Sequence, residues 1–172
     1  ARISDSCMPF VSRLTELRSL SLRSTGVTDA GLASLASLHR LRALNLWWTR
    51  VTDDVVPSLA AFPRLSSLVL GGTRVSDDGM SALARYSGIA HLDLHGTVLT
   101  DDGVRKLSGL DRLVSLHIGE TAISDDAIPL VAAIETLESL DLRGTRISGR
   151  TLGTLAQLPR LRELDLGGTF VG

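Results

Sequence analysis

Apolar positions recur along this chain at a fixed interval of 24 residues. Leu14, Leu38, Phe62, Tyr86, Leu110, Ile134 and Leu158 open successive units, and Leu17, Leu41, Leu65, Ile89, Leu113, Leu137 and Leu161 follow three residues later. The pattern then tightens to apolar, any, apolar: Leu20 and Leu22, Leu44 and Leu46, Leu68 and Leu70, Leu92 and Leu94, Leu116 and Ile118, Leu140 and Leu142, Leu164 and Leu166. Alternation with a period of two predicts a short strand with one buried face. Three residues on stands a threonine in every unit: Thr25, Thr49, Thr73, Thr97, Thr121, Thr145 and Thr169. An aliphatic residue comes two later, from Val27 through to Val171. Self-similarity at such a period predicts stacked units, each too small to bury its own apolar side.

The second half of each unit has a different period. After Val27 come Thr28 and Asp29, then Leu32, Leu35 and Leu38, a spacing that suits a short helix. Ser or Thr followed by Asp recurs at that junction: Ser4–Asp5, Thr52–Asp53, Ser76–Asp77, Thr100–Asp101 and Ser124–Asp125. A hydroxyl or carboxylate there is expected to accept the free N–H groups of the first turn, and the negative charge suits the helix dipole. Pro9, Pro57 and Pro129 share one phase, so those helices must be short or start late. The doubled Asp residues from Asp53–Asp54 to Asp125–Asp126 form a row that Arg50, Arg74 and Arg146 are placed to neutralise. Paired Asp could bind calcium, but the helix dipole alone accounts for acid at that place.

These residues resemble the leucine-rich repeat signature, Leu-x-x-Leu-x-Leu-x-x-Asn-x-Leu, with Thr at the Asn position. The subclass with Cys at that ladder position is the most similar. The following Thr-Asp-x-Gly-Leu-x-x-Leu is complete from Thr28 to Leu35. The resemblance implies an α/β fold, a right-handed solenoid in a horseshoe arc. About seven short parallel strands would line the concave face, with short helices on the convex face. The units read as a partial repeat 1–13, repeats 14–37, 38–61, 62–85, 86–109, 110–133 and 134–157, and a partial repeat 158–172. Both ends fall inside a repeat and neither has a polar capping unit, so one domain spanning 1–172 within a longer protein is expected. The threonine column is expected to satisfy buried backbone groups in the turn after each strand.

Composition narrows the function. A net charge of −1 provides no global field to draw the chain onto nucleic acid or anionic lipid. No apolar run is long enough to span a membrane. Cys7 is the only cysteine, so no internal disulfide can form, and the N-terminus carries no signal-like segment. Together these lean towards a reducing, cytoplasmic compartment. A monomer that binds another protein or peptide, with no cofactor, is the expectation.

The concave columns flanking the strand leucines give the candidate site. Trp47 and Trp48 are the only tryptophans, and neither falls on a buried phase. Exposed Trp is enriched at binding hot spots, though one ring could instead lie over Gly71 and Gly72. Val69, His91, Asp93, His95, His117, Glu120, Asp141 and Arg143 complete the candidate partner-binding surface. His117 should lie beside Asp93 and Asp141 at about 5 Å between Cα atoms. Imidazole and carboxylate at that spacing could hold a metal at His91, Asp93, His117 and Asp141, but His91 and His95 lie ~13 Å apart along an extended strand. Ser115 near His117 raises a catalytic reading, set aside because a shallow sheet neither excludes water nor offers an oxyanion site. Charge is graded along the face: Arg18, Arg23 and Arg42 at one end, Asp93, Glu120, Glu138, Asp141, Glu163 and Asp165 against Arg143 and Arg162 at the other. Such a gradient would orient a partner. The alternative function is a substrate-recognition or targeting domain of a multidomain microbial effector or ubiquitin-ligase-type protein.

Overall fold

A computed structural model describes residues 3–171. Seven three-residue strands form one open sheet in sequence order: β1 (Ser19–Ser21), β2 (Ala43–Asn45), β3 (Ser67–Val69), β4 (His91–Asp93), β5 (Ser115–His117), β6 (Ser139–Asp141) and β7 (Glu163–Asp165). All neighbours are parallel, and every residue pairs with the one 24 further on, as Leu92 with Leu116 and Asp93 with His117. Parallel pairing requires a crossover, and the helical half of each unit supplies it. This is the expected leucine-rich repeat solenoid.

The crossovers are short and uneven. α-Helix forms over Met8–Val11, Asp29–Ala33, Asp77–Leu83, Asp101–Lys106 and Ala127–Ala132. The unit with Pro57 instead runs as a tighter 3-10 segment over Asp53–Ala61. In the unit with Pro129 the helix starts late, at Ala127. Both outcomes follow from a proline ring that cannot donate within a helix. Leu152–Gln157 is also 3-10. Among the described residues, no helix is long and apolar enough to cross a membrane.

One aliphatic core runs through the stack, from Met8 through Leu44, Leu68, Leu92, Leu116 and Leu140 to Leu158. The strand leucines point into it, so the residues flanking them occupy the opposite, open face of the sheet. Two side-chain ladders run along the stack, the first closing the turn within each unit and the second joining each unit to the next. Each threonine of the column donates its Oγ1 hydrogen to the carbonyl three residues back, at 2.5–2.7 Å. Thr49, Thr73, Thr97, Thr121 and Thr145 are buried, as their role in closing the turn requires.

The second ladder corrects the expectation for the acidic row. The first Asp of each pair does not cap its own helix. Asp77 accepts the Thr100 N–H and the Thr100 hydroxyl at 2.8 and 2.5 Å, from the next unit. Asp5, Asp29, Asp53, Asp101 and Asp125 make the same double contact with Thr28, Thr52, Ser76, Ser124 and Ser148. The cap is made by the hydroxyl alone: Thr52, Ser76 and Thr100 accept N–H bonds from Asp54, Asp78 and Asp102 at 3.3 Å. The glycine in Thr-Asp-x-Gly makes room for this clamp. A methyl on Gly103 would sit 2.2 Å from the Asp77 carboxylate. Arg50, Arg74 and Arg146 form no ion pair with the row among the described residues. The carboxylates are already occupied by inter-repeat hydrogen bonds.

Candidate functional site

The open face divides the sequence candidates into two groups. The first lines a hollow of about 270 Å³ at the middle of the sheet, between β3, β4 and β5. Val69, His91, Asp93 and His117 are there, joined by Ser67, Ser115 and the strand leucines Leu68 and Leu92. The hollow exists because small serines stand on either side of His91 in register: Ser67 pairs with His91, and His91 with Ser115. A second hollow of about 460 Å³ shares His91, Ser115 and His117 and extends to Glu138 and Glu163. Ser67 and Ser115 were not singled out for partner binding in the sequence. Their small size beside larger neighbours was the available signal.

Asp93 is the charged centre of that hollow. Its Oδ1 accepts the His95 N–H at 2.9 Å, and its in-register neighbour is His117. Burial pushes the Asp93 carboxyl above the ordinary value of 3.8, opposed by the His95 backbone hydrogen bond and by the nearby imidazoles of His117 and His95, while Asp141 adds to the rise. His117 Nε2 lies 3.2 Å from the Ser115 Oγ. That contact does not amount to catalytic machinery. Among the described residues no carboxylate hydrogen-bonds the His117 ring, and the Ser115 N–H is spent on the Ala90 carbonyl at 3.0 Å, as strand pairing demands.

The second group lies along the turns that leave the strands. Trp47 is half-buried, not an open anchor. Its ring stacks on His95 with centroids 5.5 Å apart, and the Arg23 guanidinium sits 5.3 Å from the Trp47 ring centroid. Gly71 permits this, since a methyl there would come within 2.6 Å of the indole. His95 is thereby drawn away from the hollow, and its Nδ1 is buried without a hydrogen-bond partner. Trp48 lies over Gly72 yet keeps 66% of its surface exposed. Glu120 rests against Gly144 in the same manner. Asp141 is 6% exposed; its Oδ1 accepts the Arg143 N–H at 3.0 Å and its Oδ2 meets the Arg143 guanidinium at 2.9 Å. Arg143 also approaches Asp165 at 3.9 Å.

The metal reading of His91, Asp93, His117 and Asp141 is not supported. Among the described residues no three His, Cys, Asp or Glu side chains converge on a point that could hold an ion. Asp141 is turned to Arg143, and His91 and Asp93 stand two residues apart on β4 with His117 on β5. The charge gradient is modified too. Arg143 and Arg162 pair with Asp141 and Glu138, leaving Asp93, Glu120 and Glu163 without ion pairs among the described residues.

The arrangement has parallels among known proteins. Residues 14–36 and 64–84 match one leucine-rich repeat family model, and residues 136–158 match a second. No curated protein sequence matches significantly. An internalin (inlF) structure from Listeria monocytogenes superposes with a TM-score of 0.73 at 23% identity, over 92% of this chain and 50% of that one. Internalin C2 (inlC2) from the same organism gives 0.67 at 22% identity, over 98% and 84%. The chain thus spans half the length of the inlF structure. At this identity the likeness concerns the fold.

Proposed function

We propose that this chain, a leucine-rich repeat protein, is a single repeat domain that binds a partner protein or peptide on the concave face of its sheet. Leucine-rich repeat proteins generally bind other proteins, and the fold is typically a scaffold for binding and not for catalysis. The observation that carries the reading is the central hollow, about 270 Å³, with imidazoles, hydroxyls and one half-buried carboxylate set around an aliphatic floor. A pocket of that size admits one or two partner side chains, with apolar contact below and polar selection at the rim. Val69 and Leu68 supply the first, and His91, Asp93 and His117 the second. Glu120, Asp141 and Arg143 extend the recognition surface along the adjoining turns, and Trp47 braces it. Unpaired Asp93 and Glu163 favour a partner that brings a basic side chain to this half of the face.

The test blocks the hollow without touching the core. Ser67→Arg with Ser115→Arg fills it with two guanidinium groups on strand positions that face away from the leucines. Proteins captured from a cell extract by the unmodified chain, and lost by this variant, are the expected concave partners. Retention of every captured protein by a variant with an unchanged circular-dichroism spectrum would overturn the assignment. A second reading makes the same surface the targeting domain of a longer effector or ubiquitin-ligase-type protein.

A further inference from the structure

The turn following each strand contains one residue in the left-handed region of backbone space. Four of the seven equivalents are glycine, namely Gly72, Gly96, Gly144 and Gly168, with φ between 61° and 69°. Trp48 holds φ 54° at the same place. A Cβ makes this conformation unfavourable, and a bulky side chain makes it rare. The fold does not need an indole there, because glycine serves the purpose in most other units. Strain of this kind at an exposed aromatic residue points to use by a partner.

The surroundings of Trp48 supply a second, independent observation. Two residues further along the same turn stands Arg50, followed in the next units by Arg74 and Val98. Backbone bonds zip these turns together: Arg50 N–H to Val27 O at 3.0 Å, Arg74 N–H to Val51 O at 3.2 Å, Val98 N–H to Val75 O at 3.1 Å. Positions 50, 74 and 98 therefore run side by side, roughly 5 Å apart. Arg50 and Arg74 are exposed and make no ion pair among the described residues, unlike Arg143 and Arg162. Val98 is 61% exposed. The Trp48 ring lies over Gly72, and Gly96 leaves the equivalent place in the next unit without a side chain.

We propose that Trp48, Arg50, Arg74 and Val98 form a second docking surface on the flank of the solenoid, which takes an acidic segment of a partner protein carrying an apolar side chain. Two in-register guanidinium groups present planar forks that suit carboxylates. The Trp48 ring and Val98 frame them with apolar area. A continuous polyphosphate backbone is disfavoured, because the net charge of −1 gives no extended positive field beyond these two arginines, whereas a short acidic segment needs only the local pair. This surface does not depend on the concave hollow.

Panning a display library of random peptides of about twelve residues, long enough to cross three strands at ~4.8 Å spacing, provides the probe. The expected yield is peptides with two or more Asp or Glu beside an aromatic or aliphatic residue. Their affinity should fall roughly tenfold or more for Arg50→Ala with Arg74→Ala, and for Trp48→Gly, and should weaken with salt. Trp48→Gly should melt no earlier than the parent, since it restores the residue that the turn favours. Binding should survive Ser67→Arg with Ser115→Arg, which separates this surface from the concave one. Enriched peptides without an acidic surplus, or acidic peptides indifferent to the flank substitutions, would overturn the proposal. So would tighter binding of a single-stranded oligonucleotide than of any selected peptide, which would make the occupant a nucleic acid.

Discussion

Two columns of acidic side chains cross the repeats, one beside the helical segments and one within the strands. The helical column runs without interruption from Asp5 to Asp125 and ends at Gly149. Asp5, Asp29, Asp53, Asp77, Asp101 and Asp125 each direct both oxygens to a Ser or Thr 23 residues later. The strand column changes identity from unit to unit: Ser21, Asn45, Val69, Asp93, His117, Asp141, Asp165. Where it holds Asn or Asp, one side-chain oxygen accepts the N–H two residues on, at 2.9–3.0 Å. Asn45 does this as well as the acids do, and Val69 and His117 hold the same place without an oxygen, so the turn requires neither a charge nor an acceptor. A carboxylate that returns at every period belongs to the stacking of the repeats. One that comes and goes has a charge the fold does not require.

The comparison can be broken most forcefully at the helical column. Asp77→Ala strips Thr100 of the acceptor for both its N–H and its hydroxyl. The loss should cost about 2–4 kcal/mol in urea unfolding, since hydrogen bonds to a charged group are the stronger kind. If Asp93→Ala costs as much, the two columns are not different in kind. A smaller loss, about 1 kcal/mol, is expected for Thr97→Val, which keeps the shape but removes the buried 2.6 Å bond to the Leu94 carbonyl. That carbonyl still accepts the Thr97 N–H at 3.2 Å, which limits the damage.

The smallest effect has the opposite sign. Burial raises the Asp93 carboxyl, so the folded chain holds this proton more tightly than the unfolded one. The relative stabilisation is complete below the ordinary value of 3.8 and is lost as pH rises through the raised folded value. Asp93→Asn keeps the oxygen and abolishes the buried charge, so its melting temperature at neutral pH should rise by about 1–2 °C. Asp125 titrates the other way. The Ser148 hydroxyl holds its carboxyl below 3.8, so its contribution is present above that value and disappears as pH falls through the depressed one. Carboxyl chemical shifts followed through an acid titration should show Asp93 protonating well before Asp125. Coincident midpoints would erase the distinction between the columns.

Much of the fold was legible in the sequence because the period itself carries it. A repeat of 24 residues with Leu-x-Leu at a fixed place forces parallel strands in register, as β1 to β7 are. The candidate site was legible only as a set of columns. Register correctly placed His117 beside Asp93 and Asp141. It could not show that His95 turns away onto Trp47, or that Asp141 is committed to Arg143. Side-chain rotation about a strand end depends on which neighbours leave space, and here Gly71 leaves it for Trp47. The acidic row was misread for a related reason. Asp at a helix start has a sufficient local explanation in the dipole, and nothing within one unit reveals that its oxygens reach the next.

The sequence by itself therefore determined most of what repeats: strand register, the aliphatic core and the buried threonines. These follow from periodicity and local backbone chemistry, which act over a few residues and recur in each unit. Only the tertiary structure decided what differs between units: the hollow between the serines, the stacking of Trp47, the exposure of a strained Trp48 and the unpaired Arg50 and Arg74. Those features arise between side chains 24 or 48 residues apart, where the space one unit leaves is filled, or left open, by the next.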